Sequence, residues 1–198
     1  MKSRLNGLPR LLAVCADDFG LSPGVSAGIA QLARSQRISA VSCLTNVPDW
    51  DQSAPALSDL PTSVAVGLHI NLTEGQPLSP ELAALWPTLP SLPRLMALAH
   101  LGLVPQAAVQ REIVAQWGAF LSHAGQRPQF VDGHQHVHQF PGVRTAMLGA
   151  LDQLQARPAV RSAAHLIGPG HGFKRWVIRQ TGARCLLAKL RERHLRTN

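Results

Sequence analysis

Short apolar runs that alternate with helix signals constrain this chain more than any other feature. Residues 11–16 (LLAVCA), 40–47 (AVSCLTNV), 63–72 (SVAVGLHINL), 129–134 (QFVDGH) and 159–167 (AVRSAAHLI) each read as a strand. Between them, Ser22 as N-cap and Pro23 at the first helical position open the helix GVSAGIAQLARSQ. Pro48 and Asp49 open another that runs to Leu60. Residues 107–125 carry Val109, Ile113, Trp117, Phe120 and Leu121 at helical spacing and close on Gly125. Pro141 introduces GVRTAMLGALDQLQ, and GPGHG, which holds His171, turns the chain into a basic terminal helix. Strands alternating with helices predict parallel βα units and an α/β class.

The third strand shows where chemistry can gather. Val64, Val66 and Leu68 form a bulky apolar face fit to lie under helices, while Ala65 and Gly67 leave the other face small until it ends in His69 and then Asn71. The first strand likewise ends at Asp17 and Asp18. The fourth leads into VDGHQHVHQF, residues 131–140, where an extended backbone would point Asp132, His134, His136 and His138 the same way. A parallel sheet brings its C-terminal strand ends together, the face on which barrels and open α/β sheets build their sites. One carboxylate and two imidazoles with open positions suit a divalent catalytic metal, and an adjacent free carboxylate can take a proton from water that the ion has made acidic.

Size and composition bound the alternatives. With 198 residues, 45% of them hydrophobic, and no dividing linker, the chain reads as a single catalytic domain over 1–198. Three widely spaced cysteines form no CxxC pair, so neither a disulfide framework nor a thiolate zinc site is expected, and a reduced cytoplasm fits. The N-terminal apolar run is short and meets two aspartates instead of a cleavage site, and no stretch is long enough to span a membrane. The net charge of +8 is concentrated between Lys174 and Arg196. No nucleic-acid motif or aromatic platform accompanies it, so nucleic acid is not an expected partner; peripheral membrane contact through the basic helix stays open. Residues 73–103, with five prolines and Trp86, break the periodic pattern beside His69 and read as an insertion near the site.

The motifs ADDFG (16–20), GLHINLT (67–73) followed by EGQPL, and DGHQHVHQFP (132–141) resemble those of the YdjC-like, or ChbG/HpnK, carbohydrate deacetylases. The resemblance covers most of the chain from Leu11 to about Arg161. It implies a (β/α) barrel-like fold of the NodB/YdjC type and a metal-dependent hydrolase that removes an N-acetyl group from an amino sugar. Carried over residue by residue, it makes Asp18, His69 and His134 the metal ligands and Asp17 the general base. Asp132 becomes an outer partner that orients His134 or another ligand, and Asn71 supports the site or the substrate. His136 and His138 are left to bind substrate, protonate the leaving amine or serve structure. The resemblance implies magnesium or zinc, and two imidazoles lean toward zinc because magnesium prefers oxygen. The substrates it implies are chitooligosaccharides or hopanoid-linked N-acetylglucosamine, with a homodimer as a further expectation.

Members of that family run on beyond this chain's last residue, so the barrel is expected to be incomplete. A metal- or sugar-binding module without catalysis is therefore the second reading. An amidohydrolase-type metallohydrolase is the third, because HQH resembles that group's paired histidines, although theirs lie on the first strand.

Overall fold

In the computed structural model, which describes residues 12–165, 172 and 178–198, the first strand, β1, is Cys15–Phe19. It starts later than the sequence pattern suggests and contains both aspartates. The strand can hold them because its register breaks between Ala16 and Phe19, where Asp18 adopts a left-handed conformation with φ of 70°. Helix α1, Pro23–Arg34, begins as expected, with the Ser22 hydroxyl accepting from the Val25 amide.

Strands β2 (Ala40–Cys43), β3 (Ala65–Ile70), β4 (Phe130–Gly133) and β5 (Ala159–Val160) join β1 in one parallel sheet whose spatial order is the chain order. Crossovers of one hand between sequential parallel strands put their helices on one face, as in a barrel wall, and α1 packs on β1 and β2. The covered face carries Val41, Val66, Leu68, Val131 and Val160, all buried. Helices α5 (Gln106–Ala124) and α6 (Val143–Gln153) pack on each other, and α5 also packs on β3. The opposite face is small at Ala40, Ala65 and Gly67, and the Phe130 ring lies against Gly67 so closely that a Cβ there would meet it at 2.6 Å.

Several segments differ from the sequence pattern. The second strand stops at Cys43, after which Thr45 donates to the Gln116 carbonyl and Asn46 to that of Asn71. The helix expected up to Leu60 is a short α2, Trp50–Ser53, continued by a 3-10 helix over Ala54–Asp59 that contains Pro55. The fifth strand is only two residues long. Its Val160 amide bonds the Arg196 carbonyl, and Asn198 caps Ser162 from the same tail segment. Within residues 73–103, α3 (Pro80–Ala83) and α4 (Leu92–His100) bury Leu82 and Leu95 in the main core.

Helix α5 also departs from its expected periodicity. Leu121 is exposed, whereas Glu112 and Gln116 are wholly buried. Those two side chains hold the segment that follows β3: Glu112 accepts the Ser79 amide at 2.7 Å, and Gln116 bridges Glu112 to the Asn71 backbone. Residues 168–171 of the GPGHG turn, with His171, and residues 173–177 at the start of the basic terminal helix lie outside the described residues. The described end of that helix, α7 (Arg184–Glu192), buries Leu186, Leu187 and Leu190. No helix among the described residues is long and apolar enough to cross a membrane.

Candidate metal centre

Three strand ends deliver Asp18, His69 and His134 to one place, each offering a ligand atom within 4.8 Å of the others. One oxygen of Asp18 lies 3.2 Å from Nε2 of His69 and 2.8 Å from Nδ1 of His134. His69 is almost wholly buried, while the Asp18 side chain is 32% exposed, so the cluster is open on one side. One carboxylate and two imidazoles that converge from different elements, with an accessible flank, fit a divalent ion with positions left for water and substrate. The strained backbone of Asp18 falls at this point, and left-handed non-glycine residues gather where the surrounding structure holds a site in shape.

A shell of hydrogen bonds fixes these side chains. Asp132 pairs with His69 in the sheet register and accepts from its Nδ1 at 2.6 Å, which leaves Nε2 facing Asp18. Asp132 is thus the partner of His69, not of His134. Ser42 on β2 donates to the same Asp132 oxygen at 2.5 Å. Arg161, just past β5, donates one nitrogen to Asp17 at 2.7 Å and to Asp132 at 2.8 Å.

The charge states follow from these contacts. Hydrogen bonds from His134 and His69 hold the Asp18 carboxyl well below the usual carboxylate range. Burial favours a neutral His69, but the Asp132 carboxylate and its hydrogen bond outweigh it and raise this imidazole to about 9. Burial also opposes the charge of Asp132, yet His69, Ser42 and Arg161 keep it ionised. Cys15 lies with Asp17 and Asp132 in a second close group. Burial and those two carboxylates push its thiol up, which does not suit a thiolate nucleophile, and both carboxylates pair with the Arg161 guanidinium.

The histidine run does not continue the strand. β4 ends at Gly133, and His134–Gln139 forms tight 3-10 turns in which Gln135 and His136 have φ of 53° and 62°. The expected common projection of Asp132, His134, His136 and His138 is therefore corrected: the turns send the three imidazoles to different places. His134 turns to Asp18. His136 is half-buried and lines a cavity of about 360 Å³ with Leu92, Met96 and Phe140, and burial followed by Arg161 lowers its pKa. His138 folds back under the strand end, where a Cβ on Gly133 would lie 2.8 Å from its Nδ1. Its Nε2 meets the Arg161 carbonyl at 2.9 Å, and burial lowers its pKa to about 4.

Asn71 is wholly buried and clamps the turn after β3: its side-chain oxygen accepts the Thr73 and Glu74 amides and its nitrogen donates to the Glu74 carbonyl. Sequence reasoning missed Glu74, whose carboxylate lies 3.2 Å from Nε2 of His134, and it missed Ser42 and Arg161. An acidic residue directly after the histidine motif was the available signal for Glu74. Nothing in sequence separates Ser42 or Arg161 from ordinary strand residues.

A model of the YdjC-like protein family matches residues 11–198. The chain belongs to that family. It is 33% identical over 143 residues to a chitooligosaccharide deacetylase of Escherichia fergusonii, covering 69% of this chain and 53% of that protein. A chitooligosaccharide deacetylase of Enterobacter sp. (strain 638) is 32% identical over the same length, with the same coverage. The chain thus spans about half the length of these curated relatives. The crystal structure of an Enterococcus faecalis V583 protein named for cellobiose-phosphate cleavage superposes with a TM-score of 0.69 at 21% identity, over 93% of this YdjC-like chain and 65% of the other. That likeness establishes the shared α/β fold.

Proposed function

We propose that this YdjC-like chain is a metal-dependent amide hydrolase that removes the N-acetyl group from an amino sugar, with chitooligosaccharides as the first substrate class. The convergence of Asp18, His69 and His134 carries the reading, and the names of the two relatives support the substrate. A divalent ion held by these three residues would polarise the acetamide carbonyl and acidify water. Zinc is the metal we favour, because two of the three donors are imidazoles.

Asp17, in this reading, takes a proton from the water that attacks the carbonyl carbon, and Arg161 holds its carboxylate in place. As the carbon–nitrogen bond breaks, the departing amine needs one proton, and Asp17 returns the one it took up. Neither later histidine is well suited to that step, since both have lowered pKa values. His136, on the cavity wall, is assigned to substrate contact, and His138 to holding the turn. A cytoplasmic location belongs to the same reading, supported by Cys15, Cys43 and Cys185 being free thiols.

A binding module that keeps the ion without turnover is the second reading, favoured by a sheet whose β1 and β5 edges do not meet among the described residues. Acetate release from N-acetylglucosamine oligomers by zinc-loaded protein separates the two. In the enzyme, Asp17→Asn lowers turnover by about 10²–10⁴-fold with zinc content unchanged by elemental analysis. Wild-type rates in that variant would remove Asp17 from the base role, and zinc binding without any release by the native chain would favour the module.

A further inference from the structure

His69 and His134 are turned the opposite way round. His69 gives Nδ1 to a carboxylate, Asp132, and directs Nε2 at Asp18. His134 directs Nδ1 at Asp18 and gives Nε2 to a carboxylate, Glu74. A neutral imidazole has one N–H and one lone pair, so an acceptor at one nitrogen fixes the lone pair on the other. We propose that Glu74 is a positioning residue which accepts the Nε2 proton of His134, so that His134 meets a divalent cation through Nδ1.

The backbone is built for this. Asn71 fixes the turn from three hydrogen bonds to Thr73 and Glu74, and it is itself held by Asn46 and Gln116. Strand β3 therefore supplies His69 directly and, four residues past the end of the strand, the carboxylate that orients His134 from another strand. The Glu74 side chain is 43% exposed, so its reach to a site that is open on one side is not a packing requirement. The inference rests on the metal site proposed above.

The test uses the full chain loaded with zinc. Competition against a chelator should show affinity falling about 10–100-fold in Glu74→Ala, the usual cost of losing an outer partner. Glu74→Gln, whose amide oxygen can still accept, should recover part of it. Nitrogen-15 spectra of labelled histidine should show His134 bound through Nδ1 in the native protein, and melting of the metal-free chain should be unchanged in both variants. Ligation through Nε2, or native affinity in Glu74→Ala, would overturn the Glu74 assignment while leaving the metal site intact. Failure of the native chain to bind zinc would overturn the metal site itself, and the assignment with it.

Discussion

His69 and His138 are both buried imidazoles, with 3% and 1% exposure, yet the protein drives them in opposite directions. Around His69, at the junction of β3, β4 and β1, two carboxylates lie within 3.2 Å and raise its pKa to about 9. Around His138, in the turn beneath Gly133, the hydrogen-bond partner is a peptide carbonyl and burial takes it down to about 4. Burial alone favours the neutral ring in both places. Company decides: the ring set among carboxylates is poised to exchange a proton for a cation, whereas the other is kept neutral as part of the scaffold.

The largest expected effect lies in metal affinity. His69→Ala should weaken zinc binding by more than the roughly 10–100-fold cost of losing an outer partner, while His138→Gln stays near the native value in the same chelator competition. Equal losses would dissolve the contrast. The second effect is on pH. An ion must displace the proton held by His69, so affinity should rise at least about tenfold per pH unit toward pH 9 and level off above it. A flat profile between pH 7 and 9 would show that His69 does not carry that proton.

The smallest effect is on the acid stability of the metal-free chain. The His138 pKa is depressed on folding, so its contribution is complete above its unfolded value near 6.5 and is lost as pH falls through about 4. The loss amounts to no more than about 3.5 kcal/mol. His69 has the opposite sign, its contribution being present below 6.5 and lost as pH climbs through about 9. Denaturant midpoints should therefore flatten between about pH 6.5 and 4 in His138→Gln, with the further fall in acid imposed by Asp18 and Asp132 retained, and should flatten between about pH 6.5 and 9 in His69→Gln. A slope between pH 6.5 and 4 that is unchanged in His138→Gln would assign it to other groups.

The sequence was most informative where backbone period and chemistry agree. Val64, Val66 and Leu68 do lie under the helices, and their alternation placed His69 on the other face. It misled at Asp132–His138, because donors at every second position mimic a strand. The left-handed conformations of Gln135 and His136 that break it arise from the tight turn and from the space left by Gly133. Glu112 and Gln116 read as the polar side of a helix, yet they are buried because Asn71 and Ser79 bring backbone amides that need partners. Ser42, Glu74 and Arg161 matter through neighbours 90, 60 and up to 144 residues away, a relation that no local pattern encodes.

The left-handed backbone at Asp18 decides how this carboxylate can be probed. Asparagine tolerates that conformation at least as well as aspartate, whereas alanine or a β-branched residue adds its own conformational penalty. Asp18→Asn therefore subtracts a charge from an otherwise unaltered main chain. Any broader substitution would alter two variables at once, electrostatics and local geometry, and its phenotype could not be apportioned between them.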